Sequence, residues 1–352
     1  MSFPRSDLRD LAPYAQDPTP VDLDLSDNTN LWGPHPAALQ ALAESAASVA
    51  RYPTAYGDAV RAAVAARFGV PMDCVTTGCG SDDLIDAAFR GLAAPGEALA
   101  YLAPTFSMVE HAALTNSLER RPYLVDYAGG GALPAPEAVL EGAPALVYLC
   151  TPNNPTGTGL PAPWVDALLD RVATLAEAPI VLIDEAYAHF TDQSWLERAP
   201  GHGRLLVLRT MSKAYGLAGL RVGFGVAAPA VLLELNKARG PFKVGRSAEA
   251  AAAAALADGS SWLDEIIHET LLNRARLDAE LRSRGWAPLP SEANFVLIPV
   301  AEPLWSEVAD RLARGRIGVR AVRFPDGSRW MRLTVGPWPW MERLLAELGE
   351  AP

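Results

Sequence analysis

Through the middle of the chain, apolar runs of about six residues alternate with longer stretches in which apolar positions recur every three to four residues. The short runs are ALAYLA (98–103), ALVYLC (145–150), IVLID (180–184), LLVLRT (205–210) and VGFGVA (222–227). Strands this continuously apolar are buried on both faces, the condition of a mostly parallel sheet covered by helices. Helices are predicted at 37–50, 59–68, 82–92 and 163–176. Past about Leu235 the rhythm changes. A helical stretch over 262–284 ends at Gly285 and is followed by strand-like NFVLIPV (294–300), a helix over 304–314, a strand near 318–322 and MRLTVG (331–336). The order predicts an α/β protein with an N-terminal arm (1–30), a large α/β domain (31–237) and a smaller α+β domain (238–352).

Composition narrows the functional classes. Half of the 352 residues are hydrophobic and a fifth are charged, as in an ordinary globular protein. The formal net charge of −11 repels polyphosphate, and no basic run offsets it, so neither nucleic acid nor an anionic membrane is an expected partner. No run approaches the roughly 18 apolar residues that span a bilayer, and the N-terminus lacks the apolar core of a signal peptide. Cys74, Cys79 and Cys150 are too few and too irregular for a disulfide framework, which points to a reducing, cytoplasmic setting. His35, His111, His189, His202 and His268 make no metal-like spacing, so no metal is expected.

Ligands of open parallel sheets bind beyond the carboxyl ends of the strands. Asn154 follows ALVYLC, Asp184 closes IVLID, and Thr210, Ser212 and Lys213 follow LLVLRT. Each alone has a plain reading: a Ser-Lys pair at the surface, an aspartate capping a helix, a glycine pair in a turn. Together they suit pyridoxal phosphate, which needs a lysine amine for its aldehyde, a carboxylate for its ring nitrogen, donors for its phenolic oxygen, and a phosphate cradle. Asp184 is the candidate carboxylate, with Tyr187 and Asn154 as donors. The loop 78–83, GCGSDD, precedes a predicted helix, so its N–H groups, Ser81, Thr210, Ser212 and the guanidinium of Arg221 are candidates for the phosphate. Arg332, between Met331 and Leu333, is costly to bury without an anionic partner; a substrate carboxylate or an internal acid would serve.

TPNNPTG (151–157), DEAY (184–187) and TMSKAYGLAGLRVGF (210–224) resemble the fold-type I, class I and II pyridoxal-phosphate-dependent aminotransferases, specifically the histidinol-phosphate aminotransferase family. The resemblance runs from LAPY (11–14) through RYP (51–53), GCGSDD and PTFSM (104–108) to MRLTVG. It implies a seven-stranded, mostly parallel sheet in the large domain and a smaller domain closing over the site. Lys213 would form the Schiff base and shuttle the proton, Asp184 would pair with the ring nitrogen, Tyr187 and Asn154 would bind the phenolic oxygen, and Phe106 would stack on the ring. Gly80, Ser81, Asp82, Thr210, Ser212 and Arg221 would surround the phosphate. Tyr52 would reach the cofactor phosphate of a neighbouring subunit, making the protein a homodimer with shared sites. Arg332 would clamp a substrate carboxylate, and Tyr14, Asn30 and Arg320 would complete the substrate site.

The implied reaction moves an amino group from histidinol phosphate to 2-oxoglutarate by a ping-pong route. Three departures from the family pattern bear on the donor: NTNLWGP (28–34) stands in place of an Asn-Glu-Asn-Pro stretch, Lys243 replaces an asparagine, and Phe106 replaces a tyrosine. Transamination of aromatic or other amino acids is the near alternative, and decarboxylation of an amino-acid phosphate a more distant one. A non-catalytic nucleotide-binding module is disfavoured, because Asp83 stands where the dinucleotide fingerprint wants a glycine or alanine. Arg323 and Arg329 flank Pro325-Asp326-Gly327 and are expected to solvate a hairpin.

Overall fold

The computed structural model describes residues 5, 8–9, 11–13 and 19–351. Tyr14, expected in the substrate site, lies outside the described residues. A short strand β1 (Leu23–Asp24) leads into helices α1 (Pro36–Ser45) and α2 (Asp58–Phe68). The strands β2 (Val75–Gly78), β3 (Ala98–Ala103), β4 (Glu119–Leu124), β5 (Leu146–Cys150), β6 (Ile180–Asp184), β7 (Leu205–Thr210) and β8 (Gly223–Ala227) follow. Between them lie α3 (Ser81–Leu92), α4 (Ser107–Thr115), α5 (Pro136–Val139) and α6 (Ala162–Ala173). Next come α7 (Pro229–Ala238), α8 (Arg246–Ala257) and α9 (Trp262–Ser283). The C-terminal part holds β9 (Phe295–Pro299), α10 (Glu302–Arg314), β10 (Ile317–Gly318), β11 (Arg320–Arg323), β12 (Arg329–Thr334) and α11 (Trp338–Leu348).

The seven-stranded sheet has the order β2-β8-β7-β6-β5-β3-β4, and β8 alone runs against the others. Every residue of β3, β5, β6 and β7 is buried, which is why these segments read as unbroken apolar runs. Alternate residues still face opposite ways. On β5, Leu146, Tyr148 and Cys150 join the apolar layer beneath α3 and α4, whereas Val147 and Leu149 join the layer that includes α6.

The apolar rhythm leaves two strands of this sheet unannounced. β4, at the sheet edge, reads ERRPYL with every second residue exposed and a proline inside it, a permitted edge composition. β2 reads VTTG, and its buried threonines are satisfied by distant partners: Thr76 Oγ1 donates to Asn236 Oδ1 (2.9 Å) and Thr77 Oγ1 to the Tyr56 carbonyl (2.6 Å).

Helix limits shift modestly. α1 stops at Ser45 and gives way to a 3-10 turn over Ala46–Ser48, short of the expected residue 50. α8, which follows the expected domain division at 237/238, packs on α1 and α2, which precede it. Its Glu249 carboxylate accepts from Thr54 Oγ1 (2.8 Å) and the Ala59 N–H (3.0 Å). The arm in turn joins the C-terminal part: β1 pairs in parallel with β10, Leu23 opposite Ile317. The single strand expected near 318–322 is thus two, β10 on β1 and β11 in the antiparallel sheet β11-β12-β9. No described helix is long and apolar enough to cross a membrane.

Candidate active site

Register brings the carboxyl ends of β5, β6 and β7 level, with Cys150 beside Asp184 and Asp184 beside Leu208. Asp184 is 3% exposed. Its Oδ2 accepts from the Tyr148 hydroxyl of the neighbouring strand (2.8 Å) and its Oδ1 from the Ala186 N–H (3.1 Å). Burial pushes its carboxyl up to about 6, and those two hydrogen bonds oppose the rise. Three residues beyond β7, Lys213 Nζ donates to the Asp27 carbonyl (2.8 Å) and lies 5.9 Å from the centre of the Tyr187 ring. Burial, and then the Arg332 guanidinium, bring its amine down to about 7 against the pull of Asp27. A substantial fraction is therefore unprotonated at neutral pH, as a nucleophilic amine requires.

Tyr187 accepts at its hydroxyl from Asn28 Nδ2 (3.0 Å) and meets the Phe295 ring edge-on at 5.2 Å. Burial raises this phenol to about 12, while Arg332 and Asn28 draw it down. Asn28 has a positive φ of 54°, a region asparagine tolerates, and is locked there: its N–H donates to Thr334 Oγ1 (3.1 Å) and its carbonyl accepts from Asn294 Nδ2 (3.0 Å).

The glycine loop forms a close-walled cradle. Gly80 has φ +88°, and a Cβ there would collide with the Arg221 guanidinium; a Cβ on Gly223 would collide with the Ser81 amide nitrogen. Gly223 is also the register partner of Thr210, whose Oγ1 donates to Ser212 Oγ (2.9 Å) and accepts from the Ser212 N–H (3.1 Å). Ser81, Thr210, Ser212 and Arg221 therefore meet at the start of α3, where no side chain caps the helix. Arg221 pairs there with Asp82 (2.7 Å). Asp83 accepts from the Cys79 N–H (3.0 Å) and from Lys243 Nζ (2.9 Å), so Lys243 braces the loop.

On the small sheet, Arg320 and Arg332 are register partners across β11 and β12. Arg332 donates through Nη1 to Asn154 Oδ1 (2.6 Å), through Nη2 to the Ser26 carbonyl, and lies over the Phe295 ring. Arg320 is ion-paired with the Asp27 carboxylate. Strand β12 thus links the C-terminal sheet to the strand-end cluster.

Other residues singled out in the sequence have surroundings of their own. Tyr52 is 78% exposed and stacks on Phe242 at 4.9 Å, beside an open groove of about 640 Å³ that also takes in Arg246; it does not line the site of its own chain. Asn30 shapes its loop, donating to the Ala214 carbonyl (2.8 Å) and accepting from the Trp32 N–H (2.9 Å). Phe106 is half-buried at the N-terminal cap of α4. His189 is held neutral, its pKa lowered to about 3 by burial, edge-on to Tyr215 at 5.3 Å. Arg329 pairs with Glu302 outside the site, and the hairpin 324–328 is as expected. Three contributors escaped the sequence reading: Asp27, Asn28 and Tyr148. Only Tyr148 carried a signal, since a phenol in a strand buried on both faces needs a polar partner.

The donor set fits pyridoxal phosphate. A buried carboxylate with a raised pKa suits a ring nitrogen, an amine near pKa 7 suits an aldehyde, and an uncapped helix start walled by side-chain-free glycines suits a phosphate.

Residues 20–348 match the family described as aminotransferase class I and II. A Ralstonia nicotianae protein named histidinol-phosphate aminotransferase 2 is 37% identical over 324 residues, 89% of this chain and 84% of that protein. A Cutibacterium acnes protein named aromatic amino acid aminotransferase is 32% identical over 79% of each. The crystal structure of histidinol-phosphate aminotransferase from Sinorhizobium meliloti in complex with pyridoxal-5'-phosphate superposes with a TM-score of 0.84 at 27% identity, covering 94% of this chain and 90% of that one.

Proposed function

Because the chain belongs to the class I and II aminotransferases, and so is a pyridoxal-phosphate-dependent transaminase, we propose that its amino donor is histidinol phosphate and its acceptor 2-oxoglutarate. Bound pyridoxal phosphate supplies the aldehyde that takes up the amino group and a ring that accepts the electron pair left by the departing α-proton. Lys213 removes and returns that proton, its lowered pKa matching the task. Asp184, oriented by Tyr148, would hold the ring nitrogen protonated, and Tyr187, oriented by Asn28, would serve the phenolic oxygen with Asn154. Gly80, Ser81, Asp82, Thr210, Ser212 and Arg221 would hold the cofactor phosphate, and Phe106 would pack on the ring.

The observation that carries the substrate assignment is the cross-strand pair Arg320 and Arg332. Like charges directly opposite each other on a sheet repel, and anions placed between them remove the penalty. A donor with a phosphate and an acceptor with two carboxylates both suit such a pair. The relatives named histidinol-phosphate aminotransferase agree with this reading. Single-turnover rates with histidinol phosphate, phenylalanine and aliphatic amino acids test it: histidinol phosphate should be fastest, and its placing among the slowest donors would sink the assignment. Phenylalanine as the best donor would favour the aromatic alternative, and carbon dioxide release without amino transfer would establish a decarboxylase.

The functional unit we propose is a homodimer. The exposed Tyr52–Phe242 stack and the groove beside it supply an apolar face with Arg246 at its edge. Through this face Tyr52 reaches the cofactor phosphate of the second subunit, and a monomer mass in sedimentation would exclude the arrangement. Three free thiols support a cytoplasmic location.

A further inference from the structure

We propose that Asp27 is a specificity-determining residue, an internal anion that occupies the Arg320 subsite and must be displaced by the distal anionic group of any substrate that uses it. This inference rests on the reading of Arg320 as a substrate-binding residue.

Three observations carry it. First, the Asp27 carboxylate is ion-paired with Arg320 while its own main-chain carbonyl accepts from Lys213 Nζ (2.8 Å), so the carboxylate is fixed within one residue of the reacting amine. Second, Arg320 stands opposite Arg332, so the position Asp27 fills is where a second anion relieves the repulsion between them. Third, the pair is accessible: Arg320 and Asp27 side chains are 31% and 34% exposed. A displaced carboxylate can therefore return to water without a large desolvation penalty, which a fully buried pair would not allow.

The chemistry then sorts ligands by distal charge. A phosphate offers the Arg320 fork more charge and more acceptor oxygens than the carboxylate it replaces. A donor with a neutral distal group leaves the ion pair closed and gains nothing from Arg320. Asp27 thus acts on binding of the distal group, beside the upward pull of its charge on the Lys213 amine.

The test uses the holoenzyme, in which the cofactor phosphate site is filled, with Asp27→Asn and the smaller Asp27→Ser. Inorganic phosphate, as a competitive inhibitor, should bind about two- to fivefold more tightly in both variants, the effect of removing one part-exposed charge. The ratio of kcat/KM for histidinol phosphate over histidinol should rise by about the same factor, carried by KM for the phosphorylated donor. In an Arg320→Gln background the gain from Asp27→Asn should vanish. An unchanged phosphate inhibition constant in both variants overturns the proposal, as does an equal gain without Arg320. If phosphate binding tightens in the Arg320-dependent way but histidinol phosphate is not turned over even by the unaltered protein, the displaced anion stands and the donor assignment falls. If turnover is intact and phosphate binding does not change, the reverse holds.

Discussion

Replacing Tyr148 by phenylalanine isolates what holds Asp184 ionised. The Asp184 carboxyl rises from 3.8 to about 6 on burial, even with the Tyr148 hydroxyl donating to it at 2.8 Å. A hydrogen bond to a charged group contributes about 1.5–3 kcal/mol, so its loss should lift the carboxyl by a further ~1–2 units at about 1.36 kcal/mol each. The direction with pH follows from proton counting. Below about pH 4 the carboxyl is protonated in both folded and unfolded chains and contributes no difference. Between about pH 4 and 6 the unfolded chain loses the proton while the folded one keeps it, so stability falls as pH rises, by roughly 3 kcal/mol in all. In Tyr148→Phe the fall continues to about pH 7–8. The variant should therefore track the unaltered protein near pH 5, apart from a constant offset, and fall behind it by a further ~1.5–3 kcal/mol at pH 8. Urea unfolding of both proteins after removal of the cofactor, at one protein concentration and several pH values, measures the difference directly; other titrating groups cancel in it. A gap that stays constant from pH 5 to 8 would refute the assignment of the hydrogen bond as the restraint on Asp184.

Two further changes probe the scaffold. Glu185 and Arg209 form a buried pair in which one carboxylate oxygen accepts from Arg209 Nε (2.9 Å) and Nη2 (2.8 Å), and Ser194 joins them. Glu185→Ala leaves the guanidinium buried and unpaired and should cost about 3–5 kcal/mol in urea unfolding, with Glu185→Gln distinctly milder; equal losses for the two would remove the charge from the explanation. Gly223→Ala drives a methyl into the start of α3 and should weaken cofactor binding by roughly tenfold, the effect of about 1.4 kcal/mol within the usual range for overpacking. Unchanged affinity in an absorbance titration would show that the loop yields freely.

What the sequence disclosed and what it concealed divide along one line. Asp184, Lys213 and the glycine loop were legible because each needs a particular residue type at a strand end or helix start, a local condition. The five apolar strands were legible because burial on both faces leaves no polar alternation. Asp27 and Asn28 were not, since they reach Lys213 and Tyr187 across 186 and 159 residues of chain and nothing in their neighbourhood announces the meeting. Arg320 and Arg332 were recognisable one by one, yet their facing each other is a property of hairpin register. β4 was hidden by its position, since an edge strand is free to be charged.

The segment between β1 and α1 has a geometrical duty that its composition does not betray. Its backbone is fastened to the C-terminal sheet: β1 lies along β10, the Leu25 carbonyl accepts from the Thr334 N–H at 3.1 Å, and the Asn28 carbonyl is held by Asn294. From the same stretch the Asp27 carbonyl and the side chains of Asn28 and Asn30 reach Lys213, Tyr187 and Ala214. Residues 25–30 therefore work as a ruler between the C-terminal sheet and the turn after β7, and their number, more than their polarity, decides which group arrives at the lysine.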